Sequence, residues 1–393
     1  MTITILMPCL NEEETLERCI TKAQASLQKE NISGEILVAD NGSTDSSVEI
    51  ALRLGARVIR VAEKGYGNAL RAGIAAARGQ WVLLADADDS YDFSSIQPFL
   101  EKLSAGYDFV MGCRLESGGG TIMPGAMPWK HRWIGVPALS MIGRVFYKCP
   151  VHDFHCGMRA FRRDAILGLG LRTSGMEFAS EMVIQATLAG LKIANVPITL
   201  YRDGRSRPPH LRSWRDGWRH LRFMLLYSPT WLFLFPGLFS ILAGSLVSLR
   251  LWLGPWKIGP YGFDTNTMLV ATMCVSLGIE TTLFGIFTKI YAMSAGMLPV
   301  SKRWLLAFRL VTLERGILAG LIVGLCGLGI LIKSLVFWKA AHFGPLDYPT
   351  SLRMVIPAIF LMITGAQLFF SSFLFSILGG NFARPNSPVF HEL

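Results

Sequence analysis

Asp86-Ala87-Asp88 follows the apolar run Trp81-Val82-Leu83-Leu84-Ala85, which reads as a buried strand. Two carboxylates two residues apart at a strand's carboxyl end stand where open α/β sheets bind their ligands. Oxygen donors on a short loop suit a hard cation, Mg2+ or Mn2+, shared with substrate phosphates. A solvated acidic turn would account for these residues equally well, so the weight falls on three further segments. Pro8-Cys9-Leu10-Asn11-Glu12-Glu13 closes a first apolar run and opens a helix. Asp40-Asn41-Gly42-Ser43-Thr44-Asp45 closes a second run, and Lys64-Gly65-Tyr66-Gly67-Asn68-Ala69 opens a later helix. Each falls at a strand's carboxyl edge or a helix start, where N–H groups face anions and carboxylates accept from a base or ribose. Singly they are ordinary turn sequences; their order and spacing make them one constellation.

The elements that must position them alternate. Strands are expected at 2–7, 35–39, 57–61, 81–85 and 108–112, with helices at 12–28, 46–54, 67–78 and 94–103. This is the pattern of βαβ units and a mostly parallel sheet. A second block, 113–200, carries Gly- and Pro-rich loops, a helix near 177–189 and a strand at 193–200. The N-terminal residues read as a first strand and not as a signal peptide, which leaves the first half in the cytosol. Seven cysteines, five of them before residue 229, form no even framework of a small secreted fold.

Beyond residue 229 the composition turns apolar. Four stretches, 230–253, 267–292, 316–338 and 354–378, are each long enough to cross a bilayer core of about 30 Å. Ahead of them, from Arg202 to Arg222, stand seven arginines, two histidines and two aspartates, the main local source of the +10 net charge. Anionic lipid headgroups fit this patch better than nucleic acid because a membrane segment follows directly. Lys302, Arg303, Arg309 and Arg315 lie between the second and third spans, so the positive-inside rule puts both termini in the cytosol. Leu211, Trp214, Trp218, Leu221 and Leu225 recur at helical spacing beside Arg212, Arg215, Arg219 and Arg222, the pattern of a helix lying in the headgroup layer. The expected organisation is a cytosolic domain over 1–200, a basic interfacial segment over 201–228, a membrane domain over 229–380 and a cytosolic tail over 381–393. Glu280 and Lys289 fall in or near the second span. An intramembrane carboxylate is either functional or paired within the bundle.

Taken with these motifs, residues 1–228 resemble glycosyltransferase family 2, and within it the dolichol-phosphate mannose synthases and bacterial polyprenyl-phosphate sugar synthases. The resemblance implies a GT-A-like, nucleotide-sugar-binding α/β fold with a mostly parallel sheet, followed by an α-helical membrane domain of four spans. It implies inverting transfer of a hexose from a nucleotide-diphosphate sugar to a polyprenyl phosphate. Pro8, Leu10, Glu12, Asp40, Asn41, Lys64, Asp86 and Ala87 would bind the donor nucleotide. Asp88, with Ser90, would hold Mg2+ or Mn2+ on the diphosphate. Asp86, Asp88 and Arg114 would be the catalytic residues. Gly112-Cys113-Arg114 resembles the family's Gly-Ser-Arg, whose arginine faces phosphate, and Lys130 and Arg132 fall where a further phosphate cation is expected. Residues 153–159 resemble the acceptor-side segment. Arg202, Arg205, Ser206 and Arg207 resemble a closing loop that clamps the diphosphate. Membrane lipids are implied partners, and a homo-oligomer is left open.

The chain departs from the family pattern at Asn41, Ser90 and Leu10, which touches base recognition and the metal shell. Cys149, His152, His155 and Cys156 have zinc-ligand chemistry but lie too close together for the usual paired ligands, so packing or acceptor-loop roles are preferred. Glu177 and Glu181 open a helix, where either orients a sugar hydroxyl or simply complements the helix dipole. Two other readings stay in view. A processive polysaccharide synthase would carry Gln-x-x-Arg-Trp, but Lys302-Arg303-Trp304 and His131-Arg132-Trp133 lack the glutamine. A lipid-linked-sugar translocator or scaffold with a degenerate transferase domain would draw on the four spans and Glu280.

Overall fold

A computed structural model describes residues 2–206, 213–299 and 312–379. Arg207, Leu211, Arg212, Lys302, Arg303, Arg309 and the 381–393 tail lie outside the described residues. The chain divides into two compact units, Met1–Met224 and Leu225–Leu393.

The first unit begins β1 (Ile3–Cys9), α1 (Leu16–Lys29), β2 (Gly34–Asp40), α2 (Ser47–Arg53), β3 (Arg57–Arg60), α3 (Tyr66–Ala76), β4 (Trp81–Leu84), α4 (Gln97–Ser104) and β5 (Phe109–Cys113). It continues β6 (Thr121–Ile122), α5 (Val136–Tyr147), β7 (Arg159–Arg162), α6 (Arg163–Leu167), α7 (Phe178–Leu188), β8 (Ile193–Pro197), β9 (Thr199–Leu200) and α8 (Ser213–Leu226). Seven strands form one sheet in the order β3-β2-β1-β4-β7-β5-β8. β1 runs parallel to β2 and β4, and β5 to β8, while β7 is antiparallel to both its neighbours. Ile3, Ile5, Leu6, Leu37, Val38, Val82 and Leu83 are all buried. Continuous burial of this kind marks strands covered on both faces. On α1, Leu16, Cys19, Ile20 and Ala23 are buried at the spacing of a single helical stripe. β1, β2 and β4 therefore end side by side, and their carboxyl-end turns share one edge.

Three stretches depart from the sequence expectation. β7 has no apolar run to announce it. It sits mid-sheet with Arg159 buried, Nη2 donating to Cys156 O at 2.6 Å and Nη1 to Ala179 O at 3.0 Å, while Nε has no partner among the described residues. The strand expected over 193–200 breaks in two: β8 pairs with β5, and β9 pairs with β6. Pro197 lies at the break and has no N–H with which to continue the ladder. α5, within a block read as loops, starts with Pro137 in its first turn, where a missing N–H costs nothing.

The second unit holds α9 (Phe235–Trp252), a short hairpin of β10 (Trp256–Ile258) and β11 (Tyr261–Phe263), then α10 (Thr265–Ser294), α11 (Leu313–Ala340) and α12 (Tyr348–Gly379). With the π-turn Thr230–Leu234 ahead of α9, these four helices are long and apolar enough to cross a membrane. Small residues let them approach. A Cβ on Gly365 would lie 2.5 Å from Gly324 N and 2.7 Å from Gly320 O, and one on Gly278 would lie 2.7 Å from Gly237 O. Such contacts replace the hydrophobic effect as the packing force in lipid. Arg353 pairs with Asp264 and donates to Leu251 O at 3.2 Å. Glu280 is exposed on α10, and partly buried Lys289 donates to Thr230 Oγ1 at 3.4 Å.

Gly365→Val should therefore lower the thermal unfolding temperature of the full chain by several degrees in detergent, read by helical circular dichroism. Gly329→Val, at a position with open space around it, should leave the temperature unchanged.

Candidate active site

The turn after β4 sends its three aspartates in three directions. Asp86 accepts from the Tyr66 hydroxyl at 2.9 Å. Asp88 Oδ1 accepts from Ser90 N at 3.1 Å and Ser90 Oγ at 2.6 Å. Asp89, at φ 61°, turns back to Lys22 on α1 at 2.7 Å. Burial first, and then the adjacent Asp88 charge, push the Asp86 carboxyl up to about 6. Burial and Asp86 hold the Tyr66 phenol well above its ordinary value, so it stays a donor.

Opposite stands the turn after β1. Buried Glu12 receives Arg205 through both carboxylate oxygens, at 2.7 and 2.8 Å, and the same guanidinium lies 3.3 Å from Asp88 Oδ2. Gly204 N donates to Asp88 O at 3.0 Å, and Ser206 bonds to Glu14 through N and Oγ. The segment 204–206 is thus strapped across the edge of the sheet. From β2, Asn41 Oδ1 accepts from Gly65 N at 2.7 Å while its amide donates to Glu63 O at 2.8 Å. Lys64 Nζ reaches Asn41 O at 2.8 Å. Gly65 adopts φ 136°, and a Cβ there would run into Ser174 O, so only glycine opens α3 this way.

These turns enclose a cavity of about 440 Å3. Pro8, Leu10, Glu12, Asn41, Lys64, Asp86, Ala87 and Asp88 line it, as the sequence motifs suggested. Tyr66, Met176 and Asp216 line it as well and were not anticipated as site residues; Arg215 and Arg219, from the basic stretch 202–222, also line it. Asp40 does not: its carboxylate turns back to Gly42 N and Ser43 N at 3.2 and 3.0 Å and closes its own turn. Ser90 is buried behind Asp88 and is also absent from the lining.

The expected phosphate cations need correction. Arg114 is buried, with Nε and Nη2 on the two oxygens of fully buried Asp153 at 2.6 and 2.9 Å. Burial works against its charge and Asp153 outweighs it, so the guanidinium stays well above its usual range. Asp153 takes the Nε–Nη2 edge and Nη1 lies 3.5 Å from Tyr91 Oη, so Arg114 joins the end of β5 to the 153–157 loop. Arg132 pairs with Glu116 at 2.7 Å and lies over Trp133, while Lys130 and Arg202 are exposed. None of these four lines the cavity, and Ser206 is held outside it on Glu14. Glu181 does not face it either; its carboxylate accepts from Arg172 N, Thr173 N and Thr173 Oγ1 and orders the loop leading to Met176.

Arg205, also expected as a phosphate cation, does line the cavity, and further cations come from α8. Its Asp216, His220, Phe223 and Met224 are buried, whereas Trp214 and Trp218 are exposed. Arg215 and Arg219 each stand 3.7 Å from Asp216 and reach the cavity. The lone acid among arginines on this helix was the available signal. His220 Nδ1 shares a hydrogen bond with Ser180 Oγ at 2.8 Å, and Ser180 Oγ lies 3.3 Å from His155 Nε2. The zinc-like quartet does not converge: Cys149 pairs with Thr187 at 3.1 Å, Cys156 with Met158 O at 3.5 Å, and His155 with Ser180.

The donor set fits a divalent cation. It is all oxygen, and two adjacent carboxylates in a buried pocket carry repulsion that positive charge relieves. Among the described residues no three His, Cys, Asp or Glu side chains group to hold an ion alone. This suits a cation that completes its shell from a bound diphosphate.

A family model described as glycosyl transferase family 2 matches residues 4–169, and one described as the glycosyltransferase family 2 C-terminal transmembrane region matches 286–379. The low-salt glycan biosynthesis hexosyltransferase Agl6 of Haloferax volcanii is 37% identical over 381 residues, 96% of this chain and 89% of that protein. A dolichyl-phosphate hexose transferase of the same organism is 31% identical over 201 residues, 51% of this chain and 83% of that protein. Among solved structures, Mycobacterium tuberculosis glucosyl-3-phosphoglycerate synthase, in complex with Mn2+, uridine-diphosphate and glucosyl-3-phosphoglycerate, is 24% identical with a TM-score of 0.46, covering 57% of this chain and 78% of that one.

Two outcomes follow from this geometry. Arg114→Ala leaves Asp153 buried and uncompensated, so it should destabilise the first unit by about 3–5 kcal/mol, measured by denaturant unfolding. Burial holds the His220 pKa near 4, against the pull of Asp216 and Glu177 and with the push of Arg159; His155 packs on the same ring. A neutral imidazole is thereby favoured by folding. Its contribution is complete above about pH 6.5 and is lost as pH falls toward 4. The melting-temperature gap between wild type and His220→Asn should narrow across that window.

Proposed function

The chain belongs to glycosyltransferase family 2, and from that premise we propose that it moves a hexose from a nucleotide-diphosphate sugar to a polyprenyl phosphate at the cytosolic membrane face, with inversion at the anomeric carbon. It is a membrane protein with a GT-A-like catalytic unit. One observation carries the reading: the acidic turn after β4 and the arginines of α8 border the same cavity, and α8 ends at Leu226, four residues before the first apolar helix begins at Thr230. A hexosyltransferase and a dolichyl-phosphate hexose transferase among the relatives support the same class of reaction.

The donor base and ribose fit the wall made by Pro8, Leu10, Glu12 and Asn41, with Lys64 beside it. Asp88 would hold Mg2+ or Mn2+, whose charge stabilises the departing diphosphate. The acceptor is a phosphate monoester. Its second pKa is near 6, so it is largely dianionic at neutral pH and needs little help from a general base. One of its oxygens attacks the anomeric carbon as the bond to the diphosphate breaks, so a single displacement inverts configuration. Bringing two anions together is the difficulty, and Arg215, Arg219 and Arg205 offset it electrostatically. Asp86, held by Tyr66, faces the donor.

The first unit also carries an exposed apolar surface at Trp129, Trp133, Ile134, Met141 and Val145, interleaved with Lys130, Arg132 and Arg144. Aromatic and basic residues mixed in this way favour a lipid headgroup layer, where a polyprenyl phosphate presents its charged end.

The test is direct. Full-length protein in nanodiscs, given a panel of nucleotide hexoses, Mn2+ and polyprenyl phosphate, should yield one lipid-phosphate-linked hexose by thin-layer chromatography. Polymer growth would identify a processive synthase, and no transfer with any donor would overturn the reading. Asp88→Ala should lower turnover by about a thousandfold without moving the membrane unit's unfolding. Arg219→Ala should raise the acceptor KM more than the donor KM.

A further inference from the structure

On the buried side of α8 three polar side chains from three separate segments meet. Ser180, from α7, has no exposed surface and His220, from α8, is 7% exposed. His155 comes from the loop that also supplies Asp153, the partner of Arg114. The Ser180 hydroxyl lies between the two imidazoles, and the rings meet edge to face with centroids 4.6 Å apart. The loop bearing His155 continues to Gly157, whose N–H donates to the Tyr91 hydroxyl at 2.8 Å. The floor of the first unit is thereby connected to α8 by hydrogen bonds and ring contact.

A helix that merely covered the unit would be served by apolar residues, as Phe223 and Met224 serve it one turn further on. Apolar contacts tolerate a roll or a slide. A buried hydroxyl–imidazole bond does not, because breaking it strands polar groups without water. Buried polar contacts of this kind are known to fix register between packed helices. The register matters here. Arg219 precedes His220 directly and Arg215 is one turn earlier, and both reach the cavity. One residue of helical roll turns them by about 100°, which is enough to take both guanidinium groups off it.

We propose that His220 is a positioning residue: seated on Ser180 beside His155, it sets the roll of α8 and so places Arg215 and Arg219 over the cavity. The role given to those arginines rests on the phosphate-transfer reading above; the anchor itself does not.

The experiment uses the full chain in nanodiscs, with the donor and polyprenyl phosphate that give product with wild type. His220→Leu removes the bond but keeps the bulk; His220→Asn keeps a polar atom near the place of Nδ1. The expected results are an acceptor KM raised about tenfold in His220→Leu with kcat within about threefold, and recovery to near wild type in His220→Asn. In an Arg215→Ala/Arg219→Ala background, His220→Leu should add nothing further, because its effect passes through the arginines. Equal losses in Leu and Asn, or losses that multiply in that background, would overturn the proposal. Amide hydrogen exchange without ligand tests the anchor separately. α8 should exchange faster in His220→Leu and in Ser180→Ala while β1 and β4 keep wild-type protection; unchanged α8 protection in both variants overturns the anchor. If wild type transferred no sugar at all, the function reading would fail and the exchange result would still decide the anchor.

Discussion

Asp86 and Asp88 are two negative charges held side by side at a strand end where water is scarce, and most of the first unit's edge is organised around that cost. Neither carboxylate is left bare. Tyr66 donates to one, and Ser90 and Arg205 attend the other. Arg205 in turn is shared with Glu12, which ties the 204–206 segment to the turn after β1. The result is a cavity whose lining carries nearly balanced charge while Asp86 still feels the neighbouring Asp88 carboxylate. Such a place favours a divalent cation accompanied by a diphosphate, because the pair adds both signs of charge at once.

The strand-end wall of this cavity was legible in the sequence because its residues lie in contiguous turns at successive strand ends. Pro8 to Glu12, Asn41, Lys64 and Asp86 to Asp88 need the sheet order to meet; apolar runs announced the strands, and the structure supplies their order. Asp40 was misread because its carboxylate completes a local turn, a use of aspartate that spacing cannot distinguish from ligand binding. The cations were only partly legible: Arg205 lines the cavity as expected, whereas Arg114, Lys130, Arg132 and Arg202 do not. Whether an arginine is free for phosphate depends on which acid the fold brings beside it. Asp153 for Arg114, Glu116 for Arg132 and Glu12 for Arg205 are all tertiary partners. The same limit hid β7, a four-residue strand that opens on the buried Arg159, whose Nη1 and Nη2 find the carbonyls of Ala179 and Cys156.

α8 presents two unlike faces. Its pattern suggested a helix in the headgroup layer, and Trp214 and Trp218 do face outward. Its opposite face is buried in the first unit, and the arginines between the two faces edge the cavity. One helix thus carries exposed tryptophans, arginines at the cavity edge and a buried histidine bonded to Ser180. The membrane unit follows in sequence, its helices brought together by Gly237, Gly278, Gly320 and Gly365, as expected where lipid offers no hydrophobic drive to association.

The central claim is that the acidic turn after β4 captures a diphosphate through a divalent cation. Equilibrium dialysis of radiolabelled pyrophosphate against the full chain, with and without Mn2+, measures this capture with no assumption about base, sugar or acceptor. The account predicts that Mn2+ tightens retention about tenfold or more in the wild type and has no effect in Asp88→Asn. Retention that ignores Mn2+, or that Asp88→Asn leaves intact, would contradict it.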